Sequence, residues 1–222
     1  MHLVPPPGVT ATAFLEMVKN GEWFIDVGDS LARYLVGLLI GCFSGVMLGL
    51  LTGRLQLLRG CVAPILDFCR STPLISLVPL FIVLFGIGFK EKVLLVGWGV
   101  LFPVWLNTQA GVLRIEREYI WVAKSLGVSD NRLYREVVLP RALPFIIAGV
   151  RIGIATGFFA LGAAEIAGAF SGVVFRAYYS HQMFRTDKMM VAILTIGFLG
   201  ILCDRSYTFA MARLVPWWKE NI

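Results

Sequence analysis

Long apolar runs alternate with short polar stretches along this chain. Five runs are long enough to be read as spans: about Leu31 to Leu51, Cys61 to Phe85, Val93 to Val112, Phe145 to Phe170 and Met189 to Ala210. A bilayer core ~30 Å thick needs about 20 apolar helical residues, so the pattern predicts transmembrane helices in an all-α chain. The first run carries Gly37, Gly41, Gly45 and Gly49 at every fourth position. That spacing lines them along one helix side and predicts close approach of a neighbouring helix. Pro64, Pro73 and Pro79 interrupt the second run, and Pro103 lies inside the third. Ahead of the spans, Ala11 to Phe24 forms an amphipathic stretch whose Phe14, Leu15, Val18 and Trp23 suit a membrane interface. The expected division is an N-terminal periplasmic or interfacial segment, 1–30, and a membrane domain, 31–222.

Composition agrees with the pattern. The 222 residues are 58% hydrophobic and 15% charged, against roughly 25% charged in an ordinary soluble domain. The four cysteines, Cys42, Cys61, Cys69 and Cys203, form no CxxC pair and read as small packed apolar residues. With only His2 and His181 available, a His-rich metal site is excluded. Met1 to Thr10 is Pro-rich and lacks the basic and apolar regions of a signal peptide.

Net charge is +6, but the basic residues sit in short loops between spans, and no basic stripe interleaved with aromatics points to nucleic acid. Arg54 and Arg59 flank the first connection, and Arg114, Arg117, Lys124, Arg132, Arg135 and Arg141 fill the third. Cytoplasmic loops carry such an excess, so both connections are placed inside. The Gly86 to Lys92 and Ser171 to Lys188 connections then face outward, as does the chain before Leu31, while Pro216 to Ile222 lies inside. An outward N-terminus leaves an expectation of either a five-span chain or a preceding span that this sequence lacks.

The longest polar connection, 114–144, is expected to hold two short helical pieces separated by Gly127. Gly127 permits a left-handed turn, Ser129 is placed to cap the second piece, and Leu139-Pro140 is expected to end it. Connections in compact helical proteins are commonly 2–8 residues, so one this long needs a reason. A helix lying along the membrane surface can plug into a cytoplasmic partner and transmit its motion mechanically.

The spacing of Ala123, Gly127 and Val137-x-Leu139-Pro140 resembles the EAA loop of ABC importer permeases. Trp121-Val122-Ala123 stands where that family has Glu-Ala-Ala, and only the last Ala matches. The resemblance continues through Ser30-Leu31, Arg70-Ser71-Thr72-Pro73, Phe85-Gly86-Ile87-Gly88, Asn107-Thr108 with Gly111-Val112, Glu165 to Ala169, and Asp204 through Leu214-Val215-Pro216-Trp217. In this order the motifs look like the nitrate/sulfonate/taurine/bicarbonate branch. Gly172-Val173-Val174-Phe175-Arg176 departs from the Gly-Leu-Gly-Tyr-like segment of many relatives.

The resemblance implies a type I importer permease fold, usually of six spans, in a bacterial inner membrane. It further implies a second permease copy, two cytoplasmic ATPase subunits that bind ATP and Mg, and an external solute-binding protein. Ala123, Ser125, Leu126, Gly127, Val128, Ser129, Leu139 and Pro140 would then couple the permease to the ATPase. Cargo would be a small anion such as nitrate, bicarbonate, sulfonate or taurine, with a neutral heterocycle or amino acid as the alternative.

Ionisable and polar groups within spans are the candidates for the pathway. Asp67 and Arg70 are three apart and can pair on one helix side, and the Arg70 fork suits an anion. Asn107 and Thr108 interrupt the third span. Glu165 has no neighbour of opposite charge in sequence and is expected to pair with Arg70 or Arg151, or to line the pathway. Asp204 and Arg205 read as a surface ion pair. No G-x4-G-K-[ST] loop occurs, so ATP is left to a partner, and no HExxH or His/Ser pairing supports an intramembrane enzyme. An ion-coupled secondary carrier would call for more spans or an internal repeat.

Overall fold

A computed structural model describes residues 5–215, and among them every regular element is helical. The Pro216 to Ile222 segment and its expected inward placement lie outside the described residues. The elements are α1 (Pro7–Lys19), α2 (Glu22–Arg54), α3 (Gln56–Ser71), α4 (Leu74–Phe85), α5 (Phe89–Leu113), α6 (Arg117–Ser125), α7 (Asp130–Leu133), α8 (Leu139–Gly168), α9 (Val173–Gln182) and α10 (Thr186–Leu214). The first long helix starts at Glu22, well before Leu31, because nothing between them breaks it. Four helices are long and apolar enough to cross a membrane, and the α3–α4 pair makes a fifth if counted as one.

The glycine row decides the central packing. A Cβ on Gly41 would stand 2.6 Å from the Gly97 carbonyl oxygen, and one on Gly49 would stand 2.4 Å from Cβ of Thr108. Gly37 and Gly45 meet Val96 and Val104 in the same way, so α5 lies directly on the α2 backbone. On the other side of α5, α8 completes a core of Tyr34, Val96, Val100, Val104, Ile154, Ala160 and Leu161. Tyr34 stacks on Phe158 with ring centroids 4.1 Å apart and donates its hydroxyl to the Ile154 carbonyl at 3.0 Å. At one edge α1 packs Ala13 and Met17 against Val191 of α10. The outer faces of α2 and α10 leave Leu39, Phe43, Phe198 and Ile201 bare, as lipid-facing helices do.

Two expected elements differ. The second span is not one helix: α3 and α4 meet at 104°. Thr72 precedes a proline and is pushed into extended conformation, with ψ 125°, and Pro73 brings no N–H to continue the helix. The Ser71 and Thr72 hydroxyls instead take the Asp67 and Phe68 carbonyls at the end of α3. Conversely, Leu139-Pro140 does not end a helix. The chain stays helical from Asp130 to Gly168, 39 residues, through a π-helical turn at Tyr134–Val138. Pro140 has no N–H for the Glu136 carbonyl, and the wider turn spans that gap before α8 continues through Pro144.

Candidate functional site

At the basic end, α6 closes on a Schellman turn. Gly127 has φ +73°, Val128 N–H donates to the Ala123 carbonyl at 3.1 Å, and Gly127 N–H donates to that of Lys124 at 3.0 Å. Ser129 occupies the cap position of α7, but its side chain makes no capping bond. Ala123 is tucked under the loop, while Trp121 is 62% and Leu126 77% exposed. Val122 and Leu139 are exposed as well, Ser125 and Pro140 face solvent, and Val128 is half-buried. The loop is held from below. Tyr134 donates to the Leu50 carbonyl at 3.3 Å, Arg54 lies 5.0 Å over the Tyr134 ring, and Arg141 lies 3.4 Å over that of Tyr119. An apolar knob is therefore presented on a fixed mount.

The break between α3 and α4 opens into a cleft of about 690 Å³. Arg70, Ser71 and Thr72 form its polar edge, and Trp98, Phe102 and Phe159 its aromatic wall. Arg70 Nε donates to Asp67 Oδ1 at 2.7 Å, and both side chains are about half exposed. The pairing expected from their spacing is thus present at the rim.

The other pathway candidates lie elsewhere. Asn107 donates its side-chain amide to the Pro103 carbonyl at 2.8 Å, and its Cβ is where Gly149 of α8 would carry a side chain. Thr108 is fully buried against Gly49. Glu165 is also fully buried, and its partner is neither Arg70 nor Arg151. Arg151 pairs with Asp204 across helices at 3.0 Å, which also replaces the expected Asp204–Arg205 pair. Both alternatives are overruled by tertiary packing that brings residues more than fifty positions apart together.

Glu165 belongs to a junction at the end opposite the basic loops. Its Oε1 accepts from Ser30 Oγ at 2.7 Å and Arg33 Nη1 at 3.0 Å, and its Oε2 accepts from the Val174 and Phe175 amides at 3.0 and 3.3 Å. Asp26 accepts from the Gly172 amide at 2.9 Å and from Arg176 Nε at 2.6 Å. Ser30 Oγ takes the Val173 amide at 2.8 Å. Every free N–H at the start of α9 is thereby met by a side chain of α2 or α8. Gly172 is required there, since its Cβ would stand 2.4 Å from the Glu165 carboxylate. Arg33 also donates to the Ser171 carbonyl at 2.7 Å, and Ser171 Oγ donates to Asp29 at the rim. Next to it Lys92 pairs with Glu91 at 2.9 Å and donates to the Gly168 carbonyl at the end of α8, also at 2.9 Å.

Sequence reasoning missed this junction, having read the α8–α10 connection as a plain loop. The signal was present in the spacing of Glu22, Asp26, Asp29 and Arg33, which puts four charges on one side of an otherwise apolar helix.

Known proteins resemble this chain. The family model described as binding-protein-dependent transport system inner membrane component matches residues 45–220. The chain is 30% identical over 215 residues to the putative aliphatic sulfonates transport permease protein SsuC of Bacillus subtilis (strain 168), covering 97% of this chain and 78% of that one. It is 30% identical to the taurine transport system permease protein TauC of Escherichia coli (strain K12), covering 98% and 81%. Among solved structures, the MetNI methionine ABC transporter in inward facing conformations superposes with a TM-score of 0.68 at 22% identity, over 86% of this chain and 93% of that one; at that identity the likeness speaks for the fold.

Proposed function

The chain belongs to the binding-protein-dependent transport system inner membrane component family, and from that premise we propose that it passes a small anion, driven through the loop between α5 and α8. It is a permease subunit of an ABC importer in the inner membrane, and ATP is hydrolysed on a separate subunit. An ATPase and a solute-binding protein are its partners. The finer assignments that follow are our reading.

The charge asymmetry puts the basic end in the cytoplasm. There the ATPase subunits, two per assembly and each holding ATP and Mg, would seat the Trp121, Val122 and Leu126 knob in a groove. The single observation behind this role is that these apolar side chains are bare on a segment otherwise anchored from beneath. Ala123, Ser125, Gly127, Val128 and Ser129 shape the turn, while Leu139 and Pro140 join it to α8.

The cleft at the α3–α4 break supports the pathway. Irregular backbone and a half-exposed Asp67–Arg70 pair are not tolerated against hydrocarbon, only against protein or a water-filled cavity. No residue of α3 is buried within this chain. A second copy covering α3 and α4 would enclose the cleft as an aqueous passage between the two. Arg70 then offers a forked donor to a sulfonate, nitrate, bicarbonate or carboxylate, in keeping with what the sulfonate and taurine relatives are named for. Thr108 and Glu165, both buried, and the half-buried Asn107 are supports of that passage rather than its lining.

Replacing Gly127 with Trp tests the coupling. The left-handed turn is lost although space for the side chain exists. The chain is expected to stay in the membrane and to assemble, while uptake of taurine, alkanesulfonates or nitrate no longer follows ATP hydrolysis. Normal uptake by that variant would overturn the coupling role.

A further inference from the structure

The α8–α9 junction carries more than a structural cap. One unbroken helical stretch, Asp130–Gly168, begins in the cytoplasmic loop and ends one turn past Glu165. Glu165 holds the first amides of α9, and Ser30 and Arg33 of α2 hold Glu165. The three buried acids, Asp26, Glu91 and Glu165, are matched by two buried bases, Arg33 and Lys92, and by the partly exposed Arg176. Such a layer has no slack. Low-dielectric ion pairs favour one arrangement strongly, and displacing one partner leaves a charge uncompensated.

We propose that Glu165 and Arg33 are positioning residues of the transport cycle, a latch through which α8 carries the movement of the cytoplasmic loop to α9 at the outer face. When the ATPases draw the loop together, α8 takes Glu165, with the α9 amides it holds, away from Ser30 and Arg33 of α2, and the outer end of the bundle opens. When the loop is released, the same bonds re-form and close it. This inference rests on the ABC permease reading. It goes beyond that reading because nothing about coupling at the loop requires a bond at the far end to break.

The rim of the junction offers the test. Asp29 and Ser171 meet side chain to side chain across α2 and the α8–α9 turn. Asp29→Cys and Ser171→Cys, in a chain with Cys42, Cys61, Cys69 and Cys203 replaced by Ala, place a disulfide across the latch and leave Glu165 and Arg33 in the sequence. Asp29 and Ser171 also accept from Arg33 Nη2, at 3.4 and 3.2 Å, so the reduced double-cysteine chain is the reference. The whole complex is reconstituted in nanodiscs with its ATPase subunits. Oxidation is expected to lower ATP hydrolysis about tenfold, within the range typical of coupled distant sites, and dithiothreitol is expected to restore it. ADP-vanadate is expected to slow disulfide formation relative to the nucleotide-free complex. Adding Glu165→Gln should erase that nucleotide dependence, whereas a merely structural Glu165 would lower the yield of folded complex and leave the dependence intact.

Unchanged hydrolysis after oxidation overturns the latch, as does a disulfide that never forms or a nucleotide dependence that survives Glu165→Gln. If the cysteine-free parent fails to bind an ATPase at all, the permease reading fails with it. The two failures are thus told apart by the parent alone.

Discussion

The two ends of the bundle are finished in opposite ways. At the outer end, charge is mostly buried and paired within the chain: Arg33, Arg176 and Lys92 meet Glu165, Asp26 and Glu91, while Arg33 Nε and Glu91 Oε1 are left without a partner among the described residues. At the basic end, ion pairs such as Arg132–Glu136 lie in the open, the better anchors are guanidinium groups over rings, and apolar side chains are left uncovered. A surface that spends its apolar groups outward awaits another protein. The charge layer at the other end is closed within the chain, although Phe170 and Phe184 beyond it are bare. The difference assigns self-contained closure to one end and an unfilled interface to the other.

The sharpest way to break this comparison is Arg33→Ala. It strands Glu165 as an uncompensated buried charge, a loss of about 3–5 kcal/mol where a buried pair is broken from one side. Thermal unfolding of the detergent-solubilised chain should show a large fall in Tm. A Tm within a degree or so of the parent would mean the junction contributes no closure.

Trp121→Ala should do the reverse. Removing an exposed side chain ought to leave the unfolding of the isolated chain untouched, yet weaken ATPase binding by about 2 kcal/mol, as loss of an aromatic anchor does. Titration with the purified ATPase subunit separates the two readouts, and equal affinity would remove Trp121 from the interface. The smallest effect is expected from Glu136→Gln, which breaks a solvent-exposed pair with Arg132 and should alter neither Tm nor binding measurably.

What could be read from the amino-acid order follows from the range of the physics involved. The Gly37 to Gly49 row was legible because helix periodicity alone places those residues together, and the structure seats α5 on them. Gly127 was legible because a left-handed turn is a local demand. The proline at position 73 announced an interruption, but the 104° between α3 and α4 depends on what each half packs against. Pro140 announced a stop that the π turn before α8 removed. The outer junction was only half legible: Asp26, Asp29 and Arg33 mark a charged side of α2, but Arg33 and Glu165 are 132 positions apart, and Glu165 stands alone in an apolar run until the fold brings them together. Asn107 and Thr108 could not be resolved from the sequence, because polarity within a span fits a lining residue and a packed one alike.

The length of the stretch from Asp130 to Gly168 has a geometric consequence. At 1.5 Å per residue, Glu165 sits roughly 50 Å from the loop end. If the helix pivots there as one body, each degree of tilt sweeps the carboxylate sideways by about 0.9 Å. Hydrogen bonds that start at 2.7 and 3.0 Å lose most of their strength once stretched past about 3.5 Å. A tilt of a degree or two directed along those bonds would stretch them past that limit, so a small turn beside the ATPase is magnified by leverage at the far end of the helix.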